Sequence, residues 1–153
     1  MDKIKNKIIK NFLNKEELSL LTHYISLKHK FNDKELTFFA EDPSEPLIIT
    51  GLGSTLITGY GDMVCDSLLV CKKELMEQET GLSLLPTYSY WRMYTYGAFL
   101  KKHKDRPACE ISLTVNLGGD KEWPIFIDDK PFLSEPGDAI LYNGYNQEHW
   151  REK

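Results

Sequence analysis

The chain reads as an α+β protein, mainly β, in which two helices and a loop-rich stretch precede an antiparallel sandwich or barrel. Three observations predict this. Apolar residues recur at helical spacing only before Gly81, and from Pro86 onward the period falls to two. The later strands then follow one another with no helical pattern between them, which disfavours a parallel sheet. At 153 residues, 41% of them hydrophobic and 27% charged, the chain has the length and apolar content of one domain with a real core. A single domain over 1–153 is expected, with 1–85 as helical and loop support and 86–153 as the β core.

After a short apolar run from Lys7 to Leu13, Asn14-Lys15-Glu16-Glu17 has the form of a helix start. Asn14 is the N-cap, Glu17 reaches back to it, and Leu18, Leu21 and Ile25 mark one helical face. The next forty residues read as loop, with Asp42-Pro43-Ser44-Glu45-Pro46, the glycine-rich Gly51 to Ser54, and Gly59-Tyr60-Gly61. No Gly-Lys-Ser/Thr follows those glycines and the Rossmann spacing is absent, so no nucleotide loop is expected. A second helix is predicted from Asp62 to about Thr80. Val64, Leu68, Cys71 and Leu75 form its packing face, and Gly81 stands where a C-terminal glycine belongs.

Thr87 to Tyr96 reads as a strand with Tyr88, Tyr90, Arg92, Tyr94 and Tyr96 on one face. Ile111, Leu113, Val115 and Leu117 alternate with Ser112, Thr114 and Asn116 in a second strand. Trp123 to Ile127 and Ala139 to Tyr142 complete the set, the last entered through the turn Pro136-Gly137-Asp138.

With 19 basic against 23 acidic residues the net charge is −4, which gives nucleic-acid binding no electrostatic support. No apolar run is long enough to span a membrane, and the first residues lack the apolar region of a signal peptide. A cytoplasmic protein is expected. Cys65, Cys71 and Cys109 are odd in number and unpatterned, so they read as reduced thiols, Cys65 and Cys71 as small core residues and Cys109 as a packing residue.

The chemistry concentrates in the strand-rich half. His103-Lys104-Asp105 places an imidazole and a carboxylate two residues apart, on one face if the backbone is extended. His149 follows 44 residues later, just beyond the Pro136-Gly137-Asp138 strand. Two histidines and one carboxylate form a facial triad that leaves coordination positions open on Fe(II), whereas a closed structural zinc site needs a fourth ligand.

The run Tyr88-Ser89-Tyr90-Trp91-Arg92-Met93-Tyr94, with Gly97, Leu100, His103-Lys104-Asp105-Arg106-Pro107, Cys109 to Ser112, Thr114, Trp123-Pro124, Pro136-Gly137-Asp138 and His149 to Glu152, resembles one family. It is the 2-oxoglutarate- and Fe(II)-dependent dioxygenases, in the prolyl-4-hydroxylase-like branch of small microbial and viral members. The resemblance begins near Tyr60-Gly61-Asp62 and runs to the last residue.

It implies a double-stranded β-helix of jelly-roll or cupin type, with Fe(II) on His103, Asp105 and His149. It also implies 2-oxoglutarate as cosubstrate and admits ascorbate as an accessory reductant. Tyr94 matches a tyrosine whose hydroxyl meets 2-oxoglutarate, and Thr114 or Asn116 would line the same pocket. The far carboxylate of 2-oxoglutarate needs a cation, for which Arg151 is the first candidate and Arg92 the second. The implied activity is hydroxylation of an amino-acid side chain, free or in a peptide. Two alternatives stay open: a binding or structural module that keeps the β-helix without turnover, and a zinc hydrolase on the same triad, for which Glu110 is the nearest carboxylate. The subgroup continues with a final strand, whereas this sequence stops four residues past His149. The expectation is a truncated form, with an unpaired edge beside the metal site that a second copy could cover.

Overall fold

Helix α1 (Lys15–Phe31) starts where the sequence places it. The Asn14 N–H donates to Glu17 Oε2 (2.9 Å) and the Glu17 N–H to Asn14 Oδ1 (2.8 Å), a reciprocal cap. Leu21 and Ile25 are buried on the expected face. The computed structural model describes residues 4–31, 57–94 and 97–153; the readings on Asp42 to Ser54 and on Thr95 and Tyr96 lie outside the described residues. Two compact units emerge, Met1–Phe31 with Phe99–Lys153, and Asn32–Ala98. Among the described residues no helix is long and apolar enough to cross a membrane.

The first unit holds two antiparallel sheets. One has β8 (Ala139–Tyr142) between β1 (Lys7–Ile9) and β5 (Ser112–Val115). The other runs in the order β4 (Leu100–His103), β9 (His149–Arg151), β6 (Ile125–Ile127), β7 (Lys130–Phe132). Ile125 and Ile127 of one sheet and Ile140 and Tyr142 of the other form a single buried cluster, so the sheets face each other across it. All four residues of β8 are buried, as suits a central strand. The apolar run at Lys7 is thus an edge strand of the core sheet.

The expected open edge at the C-terminal strand is corrected: β9 is paired on both sides, His149 with His103 and Ile127, and Trp150 with Phe126. The Trp150 ring stacks on Phe126 at 5.2 Å, and the Trp123 indole donates to the Glu152 carbonyl (2.8 Å). Paired backbone on two sides holds His149 in place.

The Pro136-Gly137-Asp138 turn leads into β8 and is tied to the segment after β1, where the Leu13 N–H donates to the Gly137 carbonyl (2.9 Å). Gly137 has φ 92, and a Cβ there would sit 3.3 Å from the Leu13 carbonyl oxygen, so glycine is needed. Asp138 is only 3% exposed, and its carboxylate accepts from Lys10 Nζ (2.7 Å), the Asn11 N–H (3.0 Å) and the Glu135 N–H (3.1 Å). Burial pushes its carboxyl up, but the Lys10 ammonium and the two backbone donors outweigh that and hold it below the usual range. A carboxyl depressed in the folded state stabilises fully above its unfolded value, about 3.9, and stops doing so as pH falls through the folded value. Asp138→Asn is therefore expected to cost about 2 kcal/mol at neutral pH, because the amide turns a donor toward donors. Urea midpoints of the two proteins should converge as the pH falls below about 3.9; a constant gap down to the acid transition would contradict this account.

In the second unit the long helix predicted from Asp62 is two helices, α2 (Met63–Cys71) and α3 (Lys73–Thr80), broken at Lys72. Asp62 caps the first by accepting from the Val64 and Cys65 N–H groups, and Gly81 ends the second with φ 71. Cys71 is exposed and Cys65 half-buried, which corrects their assignment to the core: α2 has no buried residue, and the one buried in α3 is Met76. The Gly59-Tyr60 segment, expected as loop, belongs to strand β2 (Ile57–Tyr60), paired with β3 (Tyr90–Met93). A Cβ on Gly59 would overlap the Trp91 indole opposite it, so this glycine serves close cross-strand packing.

Candidate metal centre

His103 and His149 are direct cross-strand partners in the β4–β9 pair, so their side chains project from the same face. That depends on an irregularity. Leu100 pairs with Arg151 and His103 with His149, so three steps along β4 match two along β9. The extra residue is a bulge. Strict alternation would put Leu100 and His103 on opposite faces; the bulge turns both lysines between them outward and brings His103 to the interior side with buried Leu100. Lys102 then lies over the outer face of Trp150, 4.2 Å from the ring centroid.

Asp105 follows just beyond β4. Its N–H donates to the Gly144 carbonyl (2.9 Å), which carries the carboxylate between the two rings. Oδ1 lies 3.6 Å from Nε2 of His103 and 3.6 Å from Nε2 of His149, and one ligand atom from each of the three residues falls within 4.8 Å of the others. Each ring's Nδ1 is at hydrogen-bond distance from the carbonyl two residues before it, Lys101 for His103 (2.7 Å) and Gln147 for His149 (3.1 Å). A carbonyl only accepts, so Nδ1 carries the proton and the Nε2 lone pair is directed at the common point, the tautomer a metal ligand requires.

Burial acts to raise the Asp105 carboxyl, but its interactions with the His103 and His149 rings, each 3.6 Å from Oδ1, outweigh that and hold Asp105 well below the usual carboxylate range. The group is an anion ready to ligate. His149 is 2% exposed, its ring 4.9 Å from that of Tyr142 in the facing sheet, whereas the side chains of His103 and Asp105 are 32% and 25% exposed. The centre is closed on the His149 side and open on the other. Three donors of mixed N and O type around one point, with an open side, fit a divalent transition metal that keeps coordination positions for other ligands.

The lining beside the triad is polar, and it comes from the polar face of β5. Ser112 pairs with Tyr142 and Thr114 with Ile140, so Ser112 and Thr114 share the interior face, and Leu113 and Val115 turn away from it. Ser112 Oγ donates to the Cys109 carbonyl (3.0 Å) and lies 3.5 Å from Asp105 Oδ2. Thr114 Oγ1 is 3.3 Å from the Tyr142 hydroxyl. Asn116 is engaged differently: it donates to the Ser134 carbonyl (2.5 Å) and accepts from the Gly118 N–H (2.8 Å), tying loops together. The Arg151 guanidinium donates to the Trp123 carbonyl and stands over that indole, 5.0 Å from its centroid. Arg92, on β3, stands over the Tyr90 ring at 4.7 Å, and Tyr94 lies just past the end of β3; both belong to the second unit. Glu110 is exposed at the end of the Pro107–Cys109 turn.

Sequence reasoning missed Gly144 and Tyr142. A Cβ on Gly144 would overlap Asp105 Oδ2 and fall 2.5 Å from Ser112 Oγ and 3.0 Å from the Cys109 carbonyl oxygen, so the carboxylate occupies space that only glycine leaves. The only sequence signal was a glycine shortly after a fully apolar strand, which reads equally well as a turn.

No protein-family model matches the sequence, and no curated protein sequence matches it. In three dimensions the chain is similar to the crystal structure of a Pseudomonas putida prolyl-4-hydroxylase. The TM-score is 0.72 at 18% identity, over 99% of this chain and 86% of that one. That likeness is one of fold: a mainly β architecture of antiparallel sheets of the prolyl-4-hydroxylase type.

Proposed function

We propose that the chain is an Fe(II)- and 2-oxoglutarate-dependent oxygenase on a double-stranded β-helix, hydroxylating an amino-acid or peptidyl side chain. The observation that carries this reading is the convergence of the two histidine Nε2 atoms and one ionised carboxylate on the interior face of the β4–β9 pair. The fold likeness supports it. Iron, when bound, would supply dioxygen activation coupled to conversion of 2-oxoglutarate to succinate and CO2, one oxygen atom passing to the substrate C–H bond as hydroxyl.

The chain's own residues hold and shelter that centre. His103 and His149 present Nε2, their Nδ1 protons fixed by backbone carbonyls, and Asp105 supplies the negative charge. Tyr142 and Ile127 close the interior side against water. Thr114, beside the Tyr142 hydroxyl, is the best supported of the cosubstrate contacts named from the sequence, since O–H groups on that face suit a carboxylate. Arg151 would have to release the Trp123 carbonyl to serve as the cation. Arg92, Tyr94 and Asn116 complete the candidates.

The test is anaerobic loading with Fe(II) and 2-oxoglutarate followed by exposure to dioxygen. Succinate is expected in step with oxygen uptake, and only when both iron and 2-oxoglutarate are present. Stoichiometric iron binding with no oxygen-dependent succinate would defeat the oxygenase reading and favour a module without turnover.

A further inference from the structure

We propose that Asp128, at the tip of the β6–β7 hairpin, is a positioning residue for His149, acting through Gln147. The inference rests on the metal reading of His103, Asp105 and His149 and adds to it a brace outside the ligand set. The hairpin turn consists of Asp128 and Asp129, with φ 46 and 65, between the paired residues Ile127 and Lys130. Two-residue turns with two positive φ values ordinarily use Asn or Asp followed by glycine. Asp128 suits the first position, but Asp129 stands where glycine is usual, so the second position is held in a conformation its side chain does not favour.

That conformation directs three hydrogen bonds onto the segment before His149. The Asp128 N–H donates to the Glu148 carbonyl (2.9 Å), Oδ1 accepts from the Glu148 N–H (3.2 Å), and Oδ2 accepts from Gln147 Nε2 (2.8 Å). Gln147 is in turn fixed at its other polar atoms. Its Oε1 accepts from the Asn143 N–H (3.0 Å), its N–H donates to the Asn143 carbonyl (2.9 Å), and its carbonyl accepts the Nδ1 proton of His149 (3.1 Å). The orientation of the Gln147 peptide therefore sets the tautomer and tilt of the His149 ring, and Asp128 sets the orientation of Gln147.

A turn alone does not explain the carboxylate. Asparagine tolerates positive φ as well as aspartate does, but at this position it could offer only one acceptor where two donors converge. An amide at 128 would face the Gln147 amide donor to donor, since Gln147 Oε1 is already committed to Asn143.

The test uses the full chain, with Co(II) affinity measured by chelator competition and thermal midpoint measured alongside. Asp128→Asn and Gln147→Glu are each expected to weaken Co(II) binding about tenfold with little change in midpoint. The two substitutions change the net charge in opposite directions, so a common loss cannot be long-range electrostatics. The double variant exchanges the amide and the carboxylate, restores the donor–acceptor match, and should return Co(II) affinity to that of the parent. Asp129→Gly, which relaxes the turn and leaves the brace, should raise the midpoint and leave affinity unchanged. Parent-like affinity in either single variant, or a double variant no better than the singles, would overturn the proposal. A folded parent chain that binds no Co(II) at all would overturn the metal reading itself, and this inference with it.

Discussion

Replacing Asp105 with alanine is expected to lower affinity for Fe(II) by more than about 100-fold while the chain stays folded. Asp105 is the only anion among the three converging donors, and both histidine Nε2 atoms lie at equal distance from its Oδ1. Its removal takes away a ligand and the charge that offsets that of the metal. The fold should tolerate the change, because the side chain is a quarter exposed and lies outside the cluster of Ile125, Ile127, Ile140 and Tyr142. His103→Ala, also partly exposed, should behave in the same way. His149→Ala is less clean, since it also opens a cavity at a fully buried position. Metal content after anaerobic reconstitution, read beside far-ultraviolet circular dichroism, checks the expectation. Full iron occupancy in both Asp105→Ala and His103→Ala would refute the triad.

Gly144→Ala should be nearly as damaging to metal binding, although it touches no ligand atom chemically. The added methyl would meet Asp105 Oδ2, Ser112 Oγ and the Cys109 carbonyl at once. The carbonyl is backbone and cannot swing aside, so relief has to come from the Asp105 and Ser112 side chains, and Asp105 leaves its place between the two histidines. A loss of about 100-fold in metal affinity is expected, with about 1–3 kcal/mol of stability from the overpacking. Combining Gly144→Ala with Ser112→Ala removes one of the two movable obstacles and should recover part of the affinity. Chelator competition on the single and double variants, with urea unfolding in parallel, measures both effects. An alanine variant that binds metal like the parent would mean that Asp105 is held by something other than the space at residue 144.

The features legible in the sequence are those decided by neighbours along the chain. The Asn14–Glu17 cap, the Leu21 and Ile25 face, the helix start at Asp62 and the Gly81 terminus each depend on residues within one or two helical turns, and all are present. The strand Ala139–Tyr142 after its turn was equally local. The His103, Asp105 and His149 constellation could be named because ligand chemistry restricts the residue types so strongly.

Tertiary structure alone decided which way those residues point. In Leu100-Lys101-Lys102-His103 a period of two places His103 opposite Leu100, and only pairing with β9 creates the bulge that puts both on the interior side. Likewise β5 turns Ser112 and Thr114 inward, because its register against β8 is fixed by which partner residues face the other sheet. The end of the chain looked like an open edge when read in order, yet β9 lies between β4 and β6, strands that come before it in sequence. Gly144 acquires its importance from Asp105 and Ser112, far from it along the chain. Register and strand order are properties of pairs of segments, and side-chain direction follows from them; a single strand's residues determine that it will pair, but not with what or in which phase.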